Sequence, residues 1–199
     1  MFEQYGKIYM VNMDEHPGRW EAFDQEAKRN GINYERFAGI KINGGKTRID
    51  REAGCRASHM TIIQMAKDAG LPNVLIFEDD AVIDERLSEL EPYVKEFLDV
   101  STWDMFYYGC NHNDIFEPVN EHIIRVRKAW TTHSYVVNAR AYDKILQYKD
   151  TPEPVDVVLT RIHAEGNSFC VFPRMIFQRE GQSYILDQPM NYDPYLKDK

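Results

Sequence analysis

The sequence has no close cysteine pair, no excess of basic charge and no long apolar run. Its three cysteines, Cys55, Cys110 and Cys170, lie far apart with no CxxC spacing. That excludes a disulfide framework and leaves isolated thiols of a reducing compartment. The formal net charge of -8 offers no electrostatic footprint for a phosphate backbone, so no nucleic acid is expected as a partner. No apolar run approaches the ~20 residues of a membrane span, so no transmembrane segment is expected. The opening "MFEQYGKIYMVNMD" lacks a basic stretch followed by an apolar one, as a secretory leader would have. These absences together point to a cytoplasmic protein. Internal repeats and low-complexity stretches are absent too.

What is present is enough apolar material for a core. Over 199 residues, 43% are hydrophobic and 28% charged, a balance that suits one globular domain spanning 1–199. The polar, proline-containing tail 186–199 reads as peripheral.

Strand-like and helix-like periodicities alternate along the chain. "KIYMVN" is β-branched and aromatic-rich, a first strand. Trp20, Phe23 and Ala27 recur at helical spacing until Asn30-Gly31. "YERFAGI" reads as a second strand. A helix is expected from about Ala53 to Ala69, closed by Gly70, and a strand over Val74–Phe77. Leu87, Leu90, Val94 and Phe97 share one helical face; Asp84 is the expected N-cap, and Pro92 a break or turn within. "WDMFYYGC", Thr132–Val137 and "SFCVFPRMIFQ" supply later strands, and "PVDVVLTRIHAEG" a helix. This alternation predicts an α/β domain with a mostly parallel central sheet, in which ligands bind at the carboxyl ends of the strands.

At one such end stands "VLIFEDDAVID". Three adjacent carboxylates, Glu78, Asp79 and Asp80, follow a run that looks buried. Facing carboxylates are costly unless a cation or protons offset them. Mg²⁺ or Mn²⁺ prefers such oxygen ligands and commonly shares them with substrate phosphates. Side-chain alternation sends Glu78 and Asp80 one way and Asp79 the other. Asp80 is therefore the first metal-ligand candidate, with Glu78 acting through water or on a sugar hydroxyl. The competing reading is a turn or helix start favoured by the macrodipole. A receiver-type phosphoacceptor domain also ends a strand in paired acids. Here, however, the acids follow about 70 residues of other structure, and the next strand ends without an acceptor aspartate.

Several separated segments resemble one family, glycosyltransferase family 25. They are "YMVNMDEHPGRW", with Met13 where leucine is usual; "RFAGI"; "EAGCRASH"; "LIFEDDAVI"; "TTHSYVVNARAYDKIL"; "PVDVVL"; and "VFPRMIFQREGQSYI". Their order and spacing span Lys7 to Ile185. The resemblance implies a GT-A-like, Rossmann-related nucleotide-sugar-binding fold, a UDP-sugar donor, Mn²⁺ or Mg²⁺, and inversion at the anomeric carbon. The function it implies is transfer of a hexose, galactose first, to a glycan or hydroxylated acceptor. The alternative is a non-catalytic nucleotide-sugar or glycan-binding member of the same fold.

On that resemblance, Asp156 is the candidate catalytic base. Asp80, Glu78 and a late histidine, His163, are the candidate metal ligands. Asn12, Arg19, Ser58, His59, Asp79 and Gln178 are the candidate donor-binding residues. Each has a plainer reading: a helix cap for Asp156, a surface charge for Arg19, a capping or buried polar role for Ser58 and His59, surface polarity for Gln178. His133 reads as a hydrogen-bonded structural histidine.

Overall fold

The computed structural model describes residues 2–112 and 116–191. The chain runs β1 (Ile8–Asn12), α1 (Pro17–Arg29), β2 (Glu35–Ala38), α2 (Arg48–Asp68), β3 (Asn73–Glu78), β4 (Ala81–Ile83), α3 (Leu87–Val100), β5 (Met105–Tyr107), β6 (Phe116–Pro118) and β7 (Ile123–Val126). It continues through β8 (Ser134–Asn138), α4 (Tyr142–Leu146), α5 (Val155–His163), β9 (Ser168–Val171), β10 (Ile176–Gln178), β11 (Gly181–Ser183) and β12 (Gln188–Met190).

Eight strands form the central sheet in the order β2-β1-β3-β8-β5-β9-β7-β6. Six point the same way, and β8 and β7 run against them. The sheet is thus mostly parallel in strand direction, while β8 and β7 make four of its seven neighbour pairings antiparallel. β4 pairs with β10, and β11 with β12, outside it.

Helices cover both faces. Ile62, Ile63 and Ala66 of α2, with apolar residues of α4 and α5, pack on Val74 and Ile76 of β3. Phe23 and Ala27 of α1, with Val94 and Leu98 of α3, pack on Leu75 and Phe77. Successive β3 side chains therefore enter opposite cores, so the strand is apolar at every inner position instead of alternating. The result is an α/β fold with helices packed on both faces of a mostly parallel central sheet, as expected. Among the described residues, no helix is long and apolar enough to cross a membrane.

Several local expectations are corrected. Helix α2 begins at Arg48, not near Ala53, because Thr47 starts it with a capping box: Thr47 Oγ1 accepts from the Asp50 amide (3.1 Å) and Asp50 Oδ2 accepts from the Thr47 amide (3.0 Å). Such a cap contributes about 1 kcal/mol. Helix α3 runs unbroken through Pro92, and its N-cap position is Arg86. Asp84 instead accepts the Arg86 amide at 2.9 Å, in a turn ahead of the helix. Strands β4, β6, β7, β11 and β12 were not anticipated. They are three or four residues each, too short to carry a visible period.

Candidate active site

The carboxyl ends of β1 and β3, the first turns of α1 and α5, one face of α2 and the segment 183–186 enclose a cleft of about 460 Å³. Asn12, Arg19, Ser58, His59, Glu78, Asp79, Asp80, Asp156 and Gln178 all line it. His163 does not.

β1 and β3 are parallel neighbours, with Val11 opposite Glu78. This pairing carries Asn12 and the acidic triplet to the same edge. Asp79 is buried and turned toward α1. Its Oδ2 accepts from Asn12 Nδ2 at 2.7 Å and its Oδ1 from Arg19 Nε at 2.8 Å. Asn12 Oδ1 in turn accepts from Arg36 Nη2 at 2.9 Å. Burial alone would lower the Arg19 pKa, but the Asp79 hydrogen bond and the Asp80 charge raise it above the ordinary range.

Glu78 faces the other way. Its Oε1 accepts from Thr132 Oγ1 at 2.6 Å and lies 3.3 Å from His59 Nε2. Burial would raise the Glu78 pKa, but His59 and the Thr132 hydroxyl together hold it below the usual carboxylate range. Thr132 reaches this point because β8 runs antiparallel to β3, with the Glu78 amide donating to the His133 carbonyl at 3.1 Å.

Asp80 is the least satisfied of the three. Its Oδ1 is buried with no hydrogen-bond partner. Its Oδ2 has Arg19 Nη2 at 3.3 Å and Gln178 Nε2 at 3.4 Å. Burial, then the neighbouring Glu78 charge, pushes its pKa up to about 7, with Arg19 opposing. An ionised carboxylate with an unpaired buried oxygen is a group that a divalent cation would stabilise. The Gln178 Oε1 is also buried and unpartnered.

Helix α2 delivers Cys55, Ser58 and His59 to the cleft by close approach to the chain after β2. A Cβ on Gly54 would stand 2.3 Å from the Ile40 carbonyl oxygen. Ser58 Oγ donates to the Gly54 carbonyl and accepts from the Ile40 amide, both at 2.8 Å. Ser58 is thereby a clamp between helix and loop. The fully buried His59 is oriented by Tyr135, whose hydroxyl lies 2.8 Å from Nδ1. Its Nε2 has no hydrogen-bond partner. Burial, then the charges of Glu78 and Asp156, raise the Cys55 thiol pKa well above its ordinary value.

Asp156 sits in the first turn of α5, and the N-cap position is Pro154. Its Oδ1 accepts from the Val157 amide at 2.8 Å, a capping-type contact. Burial raises its pKa. The adjoining Thr131 holds a left-handed φ of 72°, strained for a β-branched residue and the kind of strain that gathers at functional sites.

His163 stands at the far end of the same helix. It is seven positions along the α-helix from Asp156, about 10 Å at 1.5 Å per residue. Its Nε2 lies 2.8 Å from the Tyr107 hydroxyl and its Nδ1 accepts from the Ala129 amide at 3.3 Å. Both nitrogens are thus engaged away from the acids, and burial lowers its pKa to about 4. The structure does not bring it to Glu78 and Asp80. His133 is a buried structural residue, with Nε2 2.9 Å from the Ile176 carbonyl.

Sequence reasoning missed several cleft residues: Cys55, Thr132, Trp130, Arg48, Arg51 and Tyr184. Cys55 carried a readable signal, since it stands four residues before His59 on a helix. Tyr184, Ile185 and Leu186 line the cleft as well, although the segment from 186 onward was expected to be peripheral; 192–199 lie outside the described residues.

The sheet order, the covered faces and an acid cluster at the end of a central strand define an α/β fold whose ligand cleft lies at the carboxyl ends of the strands. The sequence profile of Glycosyltransferase family 25 (LPS biosynthesis protein) matches residues 5–159. The chain belongs to that family and is a glycosyltransferase, which implies a nucleotide-sugar donor and a glycan acceptor. No functionally curated protein matches it. Among solved structures it is similar to a protein from STIV, at 10% identity, covering 86% of this chain and 92% of that one with a TM-score of 0.49. It is also similar to a glycosyltransferase involved in the glycosylation of the major capsid of PBCV-1 (12% identity, 73% and 67% covered, TM-score 0.41). A third is mannose-1-phosphate geranyltransferase from Thermus thermophilus (8% identity, 86% and 75% covered, TM-score 0.47). Nothing about substrate follows from likeness at this level.

Proposed function

We propose that the cleft transfers a hexose, galactose first, from a UDP-sugar to a glycan or hydroxylated acceptor, with inversion and with a divalent cation. The observation that carries this reading is the unpartnered, buried Oδ1 of Asp80, at the strand end where the expected donor-binding residues meet. Asp80 would hold Mn²⁺ or Mg²⁺, with Glu78 in support; both are hard oxygen donors suited to such an ion. Bound there, the ion supplies Lewis-acid stabilisation of the departing diphosphate.

The chain's own residues do the rest. Arg19, held by Asp79, brings a fixed positive charge to the acidic strand end, where diphosphate charge would build. Asp156 takes the proton of the acceptor hydroxyl, and its raised pKa makes it a stronger base than a solvated aspartate. Inversion needs only this one base, on the face opposite the leaving group. Tyr184, Ile185 and Leu186 line one side of the cleft.

The test is a calorimetric donor screen with UDP-, GDP- and CMP-sugars, each with and without Mn²⁺. UDP-sugars should bind, more tightly with Mn²⁺, and Asp80→Asn should abolish the Mn²⁺ increment. Binding of GDP- or CMP-sugars in preference, or no change with Mn²⁺, would overturn the reading.

A further inference from the structure

A second group of potential ligands lies beside the acids just described. Cys55 Sγ, His59 Nε2 and a Glu78 carboxylate oxygen all lie within 4.8 Å of one another. Two come from successive turns of α2 and the third from the end of β3. Residues four apart on a helix present side chains on one face, so Cys55 and His59 approach Glu78 together.

The geometry points to a site for a thiophilic divalent cation of the Zn²⁺ class, with three protein ligands and a fourth position facing the cleft. Three observations carry this. The first is distance. Bonds of ~2.0–2.1 Å from zinc to nitrogen and oxygen, at a tetrahedral angle, place those two atoms about 3.3 Å apart. His59 Nε2 and Glu78 Oε1 are 3.3 Å apart. A zinc–sulfur bond of ~2.3 Å asks for roughly 3.6 Å between sulfur and nitrogen, and the three ligand atoms lie within 4.8 Å of one another.

The second is an unpartnered atom. His59 is fully buried, and its Nε2 faces Glu78 Oε1 at 3.3 Å without hydrogen-bond geometry. A buried polar nitrogen left unpaired costs about 1–3 kcal/mol unless something else satisfies it. The third is outer support. Metal-bound histidines are held through their other nitrogen, and metal-bound carboxylates are hydrogen-bonded in turn. Tyr135 holds His59 Nδ1 at 2.8 Å, and Thr132 donates to Glu78 at 2.6 Å. In the tautomer required, Nδ1–H donates to Tyr135 and Nε2 keeps its lone pair. Cys55 binds as thiolate and its proton passes to solvent.

The site shares Glu78 with the proposed transfer metal and differs from it in its other two ligands. Sulfur and nitrogen donors select a softer ion than Mg²⁺, and Asp80 is not one of the three ligands. Glu78 lies between the two positions, so the ion would also fix the β3 end against α2. The fourth position suits water or a substrate oxygen.

The test uses the full chain, stripped of metal and titrated with Co²⁺. One equivalent should produce a thiolate-to-cobalt charge-transfer band. The band should be absent in Cys55→Ser, and its apparent affinity at least tenfold weaker in His59→Gln. Asp80→Asn should keep the band while losing any Mn²⁺ effect on donor binding, which separates this site from the proposed transfer metal. Zn²⁺ should also protect Cys55 of the unmutated protein from alkylation, read by peptide mass spectrometry, a measurement that needs no variant to fold. Absence of the band, its persistence in Cys55→Ser, or Cys55 alkylated equally with and without Zn²⁺ would overturn the assignment.

Discussion

Arg19 and Asp79 form an ion pair at the mouth of the cleft: the guanidinium donates Nε to Asp79 Oδ1 at 2.8 Å, and the Asp79 side chain is only 8% exposed. Asp79 Oδ2 takes Asn12 at 2.7 Å, so one carboxylate ties α1, β1 and β3 together. Of the three adjacent acids, this one is committed to holding its neighbours.

Removing Asp79 takes away its hydrogen bonds from Arg19 and Asn12, while Asp80 Oδ2 stays 3.3 Å from Arg19 Nη2. Asp79→Ala should therefore destabilise the fold by about 1.5–3 kcal/mol, the usual range for a hydrogen bond to a charged group. Urea unfolding measures it; a loss below ~0.5 kcal/mol would mean the pair behaves as a surface bridge. Arg19→Ala should weaken UDP-sugar binding in the same calorimetric cell, and unchanged affinity would remove Arg19 from the donor site.

Asp80 gives a pH signature. Its folded pKa is about 7, against ~3.9 for an unfolded aspartate. Between those values the native state binds the extra proton, so this group's contribution makes stability fall as pH rises, with the full penalty present above 7. Asp80→Asn removes the penalty. Without metal, the variant should match the wild type near pH 4 and melt higher above pH 7, by at least ~2 °C, the shift from about 1 kcal/mol in a chain of this size. Mn²⁺ should raise the wild-type midpoint and leave the variant unmoved. Equal melting of the two proteins at pH 8 without metal would refute the strained carboxylate.

Asp156 separates base from cap. Asp156→Asn keeps an acceptor for the Val157 amide, so the helix start should survive with little stability change. Transfer should drop about 10²–10⁴-fold, the usual contribution of general acid–base catalysis, and the acid limb of the pH–rate profile should vanish. A normal rate in the folded variant would leave Asp156 only its helix contact.

Gly54 is the point where α2 touches the chain after β2. Gly54→Ala puts a methyl carbon 2.3 Å from the Ile40 carbonyl oxygen, and backbone cannot yield as a side chain would. The helix must shift, carrying Cys55, Ser58 and His59 with it. The expected outcome is a loss of about 1–3 kcal/mol, typical of overpacking, together with reduced transfer. A variant with wild-type melting and turnover would show that the approach is not needed.

The segment "EAGCRASH" shows how far local pattern reaches. Its helical character and its Cys55–His59 spacing are legible, because residues four apart share a helix face whatever surrounds them. The hydrogen bond from the Ile40 amide to Ser58 is not legible, since Ile40 belongs to another segment. The pair Asp156 and His163 makes the same point. Both sit on one recognisable helix, and only the direction in which α5 enters the cleft decides that Asp156 lines it while His163 bonds Tyr107 instead.

By itself the sequence determined the alternation of strands and helices, the doubly buried character of β3, the acids at its end and the family to which the chain belongs. These follow from local periodicity and from residue types that cannot be buried unpaired. Tertiary structure alone decided the sheet order, the turning of Asp79 toward Arg19 and of Glu78 toward His59, and the closing of the cleft by the segment after β11. Those depend on pairings between residues far apart in the chain, whose energies no short window of sequence contains.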